Sequence, residues 1–111
     1  MRGRQVLSAT ENDYMQTIIE AARAYKWLVY HSHSSLRSEP GFPDLVLVRP
    51  PRVLFIEVKT DHAKLRPGYQ GKTRWMPGQQ EWLIALGACD KVRAMVARPS
   101  EWAEIEKALG R

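Results

Sequence analysis

Apolar positions change their period along this chain, and each change marks an element. Tyr14, Met15, Ile18, Ile19, Ala22 and Tyr25 recur at helical spacing, the signature of a helix that buries one face. Thr10 stands before them as an N-cap, with Glu11 and Asp13 in the first turn, where the helix dipole favours negative charge. Trp27–His31 reads as a first strand and Ser32–Pro40 as a polar loop. Two apolar, β-branched runs follow, Asp44–Arg49 and Val53–Lys59, bounded by proline and glycine as strands are. Pro50 and Pro51 cannot donate to a ladder, which confines them to the turn of an antiparallel hairpin. Asp61–Trp75 is a long basic loop. Pro77 and Gly87 bracket a helix over Gln79–Leu86. Val92–Ala97 reads as a fourth strand, and Ser100 is expected to cap a last helix over Glu101–Leu109. The order is α-β-β-β-α-β-α, an α/β chain with a sheet flanked by helices.

The hairpin gives the pattern a chemical meaning. If Val48 faces Val53 across the turn, the same register sets Asp44 opposite Glu57. Opposed residues in such a pair have Cβ atoms roughly 5 Å apart, close enough for two carboxylates to share one ion. Side chains alternate, so Val53, Phe55, Glu57 and Lys59 take one face and Leu54, Ile56 and Val58 the other. An isolated Glu-x-Lys is ordinarily the solvent face of an edge strand. This run is apolar on both faces, which predicts a central strand covered on both sides. A charge in that position needs a partner or a metal, because unpaired buried charge is costly. Asp44, Glu57 and Lys59 are the residue types that hold a divalent cation beside a phosphodiester and activate a water.

Composition narrows the setting. The 111 residues predict a single domain over 1–111, with 1–8 as a flexible basic tail. Seventeen Lys and Arg against twelve Asp and Glu give a formal charge of +5, which favours a polyanionic partner over an acidic small molecule. A single cysteine, Cys89, excludes an internal disulfide and fits a reducing cytoplasm. No apolar run approaches a membrane span, and Met1–Gln5 lacks the apolar stretch of a signal peptide.

Gly41-Phe-Pro-Asp44, Ile56-Glu-Val-Lys59 and a glutamine opening the next helix resemble the PD-(D/E)XK nuclease superfamily. More narrowly, the chain resembles the VRR-NUC family, and in particular its small stand-alone members, many of them phage-encoded. Thr10-Glu11, Trp27–His31, Gln79 ahead of Trp82, and Arg98-Pro-Ser-Glu-Trp102 extend the likeness, which covers roughly residues 9 to 108. One departure is a longer segment between Lys59 and Gln79 than compact members carry. The resemblance implies a restriction-endonuclease-like core built on a central mixed four-stranded sheet. It also implies a metal-dependent endonuclease acting in the cytoplasm of a bacterium or a phage-infected cell. The most specific substrate it implies is branched DNA such as a Holliday junction, cut by a homodimer whose two-fold axis pairs the sites.

Roles for individual residues follow. Asp44 and Glu57 would ligate Mg²⁺ or Mn²⁺ through oxygen, and the resemblance adds the Val58 carbonyl. Lys59 would position the water or stabilise charge building on phosphorus, since a general-base role needs a strongly depressed pKa. Gln79 lies at i, i+3, i+4 and i+7 with Trp82, Leu83 and Leu86 and could hold the water or a phosphate oxygen, with Gln80 as its rival. Glu11 shares a face with Met15, Ile18 and Ala22 and is a candidate third carboxylate, as in superfamily members, with Gln16 and Glu20 on other faces. In the basic loop, Lys64, Arg66, Lys72 and Arg74 interleave with Tyr69 and Trp75. Cations neutralise phosphates and aromatics stack on unpaired bases; the competing reading packs Trp75 on its own domain. Arg37, and more weakly Arg2 and Arg4, are further phosphate contacts. His31 and His33 lack a third soft ligand for zinc and read as DNA-contacting or solvated, and Asp61-His62 has no evident partner. The rival functions are a nickase, a flap or less selective nuclease, and a catalytically weak DNA-binding module.

Overall fold

In the computed structural model, which describes residues 10–32 and 39–111, the Thr10 hydroxyl accepts the Asp13 N–H at 3.1 Å and starts helix α1, Glu11–Ala24. The helix ends in two reversed bonds, Lys26 N–H to Arg23 O and Trp27 N–H to Ala22 O, each 3.0 Å. This closure needs a left-handed residue, normally glycine, and here Lys26 takes it with φ 73°. Tyr14, Met15, Ile18, Ile19 and Ala22 are the buried face of α1, as the spacing predicts, but Tyr25, expected on the same face, is the C-cap and is exposed.

Four strands form the sheet: β1 (Leu28–His31), β2 (Leu45–Arg49), β3 (Arg52–Val58) and, later in the chain, β6 (Val92–Ala97). Their order is β1-β2-β3-β6. The first three run antiparallel and β3 pairs parallel to β6, so the sheet is mixed. Val48 faces Val53 and Leu45 faces Ile56, the register that the two prolines imply. β3 is central, with neighbours on both sides.

Alternation along the strands divides the sheet. Leu45, Leu47, Leu54, Ile56, Val58 and Ala97 are buried with the inner face of α1 and with Ile105 and Leu109 of helix α3 (Trp102–Gly110). The reverse face is covered by helix α2 (Gln79–Gly87). There Phe42 meets Phe55 and Trp82 edge-on, with ring centroids 6.0 and 5.1 Å apart. Apolar burial on both faces of β3 supplies the main driving force for this arrangement. On β1, by contrast, Leu28 and Tyr30 remain exposed. Among the described residues no helix is long and apolar enough to cross a membrane.

Two expectations need correction. The Asp61–Trp75 stretch is not all loop: it holds a two-stranded hairpin, β4 (Tyr69–Gln70) with β5 (Trp75–Met76). Strands of two residues carry no readable alternation, which is why the sequence pattern misses them. Ser100 does not cap the last helix by its side chain. Pro99 starts a 3-10 turn over Pro99–Glu101, and α3 follows with no side-chain cap. The Ser100 N–H instead donates to Asp61 Oδ1 at 2.9 Å, so Asp61 has a partner 39 residues away. Hydrogen bonds from the Ser100 backbone and then its side chain hold the Asp61 carboxyl below its ordinary pKa. Arg98 fixes the same stretch from the other side, donating to the carbonyls of Thr60 at 2.6 Å and Ala63 at 2.7 Å.

Candidate functional site

Asp44 lies one residue before β2 and Glu57 one residue before the end of β3, so the ladder ending at Leu45 and Ile56 delivers them side by side. Ser32 secures the approach to Asp44, its N–H donating to the Asp44 carbonyl at 2.9 Å. Asp44 Oδ2 accepts the Val58 N–H at 2.9 Å. That bond fixes the Asp44 carboxylate against the strand that carries Glu57.

Glu57 is only 2% exposed. Its Oε2 accepts from Gln79 Nε2 at 2.7 Å, and its Oε1 is buried with no partner among the described residues. A buried acceptor left unpaired is costly, and a carboxylate oxygen more so. Burial first, then the nearby Asp44 charge, push the Glu57 carboxyl up to about 8; Glu11 adds to the rise, while Lys59 and Arg66 oppose it. Without a cation, this group is held protonated near neutrality.

Gln79 opens α2 and is 5% exposed. Its Nε2 donates to Glu57 while its Oε1 accepts the Arg66 N–H at 2.9 Å. Those two partners settle the amide orientation, since a carboxylate needs a donor and an N–H needs an acceptor. Gln79 thus joins the metal-site candidate to the loop before the β4–β5 hairpin. Gln80, its rival, is exposed and uses only its backbone N–H, donating to Arg66 O at 3.1 Å. The Glu81 carboxylate accepts the Gly78 N–H at 2.7 Å and closes the first turn of α2.

A cleft of about 540 Å³ opens over these groups, lined among others by Glu11, His31, Asp44, Glu57, Arg66 and Gln79. Glu11, the candidate third carboxylate, lines this cleft. It remains exposed, however, and no group of three or more His, Cys, Asp or Glu is arranged to hold a metal among the described residues. The donors that converge are the Asp44 and Glu57 carboxylates. Val58 is fully buried beneath them, and Lys59 is half-buried with its N–H on Ala97 O at 3.0 Å.

The loop cations Lys64, Arg66, Lys72 and Arg74 are all exposed. Arg74 pairs with Glu39 at 2.6 Å, which ties the hairpin to the cleft rim. Tyr69 faces Met76 and Gln70 faces Trp75 across the ladder. Successive side chains point to opposite faces, so Tyr69 and Trp75 do not form one platform. The Trp75 ring lies against Gly68 so closely that a Cβ there would be 2.4 Å from it, yet Trp75 is still half exposed. Arg37 and His33, like Arg2 and Arg4, lie outside the described residues.

Sequence reasoning misses Gly41 and Gly78 as site residues. Gly41 has φ 87°, and a Cβ on it would meet the Gly78 backbone at 2.7 Å. A Cβ on Gly78 would meet Arg66 O at 2.4 Å. The signal was their position: one starts Gly-Phe-Pro-Asp44 and the other immediately precedes Gln79. In comparisons with protein-family models, curated proteins and solved structures, the chain matches none of them.

Proposed function

We propose that this chain is a divalent-metal-dependent endonuclease that hydrolyses DNA phosphodiesters, built on a restriction-endonuclease-like core and selective for branched DNA such as a Holliday junction. The observation that carries the reading is Glu57 Oε1, a buried carboxyl oxygen with no partner among the described residues, beside Asp44 in an open cleft. An orphaned carboxyl oxygen next to a second carboxylate fits a hard cation that would take the place of the proton, and the donor set suits Mg²⁺ or Mn²⁺. Asp44 and Glu57 would hold it, with the Val58 carbonyl and Glu11 as the further ligands that the family resemblance implies. When bound, such an ion polarises the scissile phosphate and acidifies a water.

The rest of the chemistry belongs to the chain. Gln79 keeps Glu57 oriented by its 2.7 Å bond and thereby acts as a positioning residue. Lys59 contributes positive charge at the same end of β3, where charge builds on phosphorus. Lys64, Arg66 and Lys72 would bind phosphates of the substrate, while Tyr69 and Trp75 offer separate stacking faces for unpaired bases. Two symmetric cuts on a junction call for a homodimer, and exposed Leu28 and Tyr30 on the edge strand β1 are compatible with such an assembly. The reading places the enzyme in the cytoplasm of a bacterium or a phage-infected cell.

The test incubates purified protein with Mg²⁺ or Mn²⁺ on a four-way junction, a flap, a nicked duplex and a plain duplex. Symmetric junction cuts that vanish in Glu57→Ala and Asp44→Asn support the proposal. Preferred cutting of the flap or nicked substrate would replace the junction reading with one of its nuclease rivals. Junction binding without cleavage in any divalent metal would make the chain a binding module and overturn the nuclease reading.

A further inference from the structure

The end of the sheet opposite the carboxylates carries a second concentration of chemistry. The β2–β3 turn lies there, and from Arg52 to Glu57 the strand extends for about 17 Å. Because β6 runs parallel to β3, its start comes to the same end, with Val92 beside Val53 and Arg93 beside Leu54. Arg52, Lys91, Arg93 and Arg111 rim a groove of about 550 Å³ whose lining includes Val53, Leu54 and Val92, and among the described residues no Asp or Glu side chain lines it.

Arg49 stands behind Arg52, and both guanidinium groups lie over the Trp27 ring, 4.6 and 5.0 Å from its centroid. Backbone carbonyls hold both in place. Arg49 donates to Tyr25 O at 2.9 Å, Arg52 to Ala108 O at 2.8 Å, and each also to Arg111 O. The Trp27 indole donates to Leu109 O at 2.8 Å and completes the support. These cations are set in place before any ligand arrives, which lowers the ordering cost of binding. Burial, then the charges of Arg49, Arg93 and Arg111, hold the Arg52 guanidinium below its ordinary pKa. Repulsion among these like charges is what an incoming anion relieves.

Lys91 and Arg93 are exposed at the groove's rim, and none of its lining residues is a buried polar side chain that would specify a small molecule. An open basic groove suits a continuous phosphate backbone.

We propose that this groove is a second nucleic-acid contact, which binds the phosphate backbone of a strand away from the catalytic cleft. It rests on the nuclease reading only for the choice of nucleic acid as the polyanion. The groove recognises charge and spacing, so it binds without regard to base sequence.

Binding is measured by fluorescence anisotropy with a labelled four-way junction and a labelled duplex, in chelator, so that no cleavage intervenes. The variants are Lys91→Glu/Arg93→Glu and, as a control of equal charge change, Arg23→Glu/Lys107→Glu, whose side chains are exposed on α1 and α3. Thermal melts first establish that each variant is folded. The groove pair is expected to weaken binding about tenfold or more at low salt and to lower the salt slope by about two. The control pair should change affinity far less. An equal loss in both pairs would overturn the proposal, since only overall charge would then matter. Unchanged affinity in the groove pair would overturn it as well. Competition by millimolar inorganic phosphate at the groove, with DNA affinity intact in the variant, would make it a small-anion site and overturn the strand reading. Cleavage by the wild type in Mg²⁺ is scored separately from these binding measurements in chelator, so failure of the nuclease reading and failure of this one appear in different assays.

Discussion

Glu57 makes the cation-free protein sensitive to pH in an unusual direction. Its carboxyl is pushed up to about 8 in the folded state, from an ordinary value of 4.5. Below the ordinary value both folded and unfolded chains hold the proton, and burial carries no charge penalty. As pH rises through that value the unfolded chain ionises while the folded chain keeps its proton, so the unfolded state gains. The penalty grows by about 1.4 kcal/mol per pH unit until the folded group also ionises near 8, and is constant above. Across the window it reaches on the order of 5 kcal/mol, against a total stability of about 5–15 kcal/mol for a domain of this kind. Glu57→Gln removes the titration while its amide oxygen can still accept from Gln79. A fixed offset from the new buried amide is expected at every pH, so the slope is the quantity to compare. Urea denaturation in chelator at several values between pH 5 and 8 should show the wild type losing stability relative to Glu57→Gln as pH rises. Parallel pH profiles for the two proteins would refute the reasoning, because the carboxyl would then ionise as it does in water.

Other features are open to simpler tests. Lys26→Gly relieves a left-handed residue at φ 73° and should raise stability by about 0.5–1 kcal/mol in urea melts; a loss would mean that the lysine side chain is worth more than its backbone strain. Gly78→Ala brings a methyl group to 2.4 Å from Arg66 O, and should cost on the order of 2 kcal/mol while also reducing stabilisation by Mn²⁺ in thermal melts. Thr10→Ala removes the 3.1 Å cap of α1 and should cost about 1 kcal/mol in the same denaturation assay, with no change in DNA affinity.

The parts of the fold readable from sequence were those governed by local chemistry. Two prolines pinned the hairpin turn, and its register carried Asp44 to Glu57. Thr10 marked a helix start because capping acts within a few residues, whereas Pro77, expected in the first turn of its helix, lies one residue before the N-cap Gly78. What escaped was settled by partners distant in sequence. The Asp61 carboxylate finds Ser100 across 39 residues, and Gln79 finds both Glu57 and the Arg66 N–H. The first of these engages the Ser100 backbone N–H where a side-chain cap was expected; the second gives Gln79 structural partners that its helical position alone did not reveal. The basic groove was hidden for the same reason. Arg52, Lys91, Arg93 and Arg111 meet only because β6 lies parallel to β3 and α3 ends over the hairpin turn.

The contact between Gly41 and Gly78 has a consequence for how this architecture can vary. The turn that carries Asp44, the strand of loop at Arg66 and the start of α2 meet main chain against main chain, with no side chain between them. Such a joint sets where the chain must return after β3, but not what it does in between. Residues 68–76 can therefore be lengthened, shortened or exchanged for another hairpin while the carboxylates and Gln79 keep their places. The chain behaves as a fixed socket with a replaceable insert, so what the cleft meets could diverge by swapping that insert while Asp44, Glu57 and Gln79 stay unchanged.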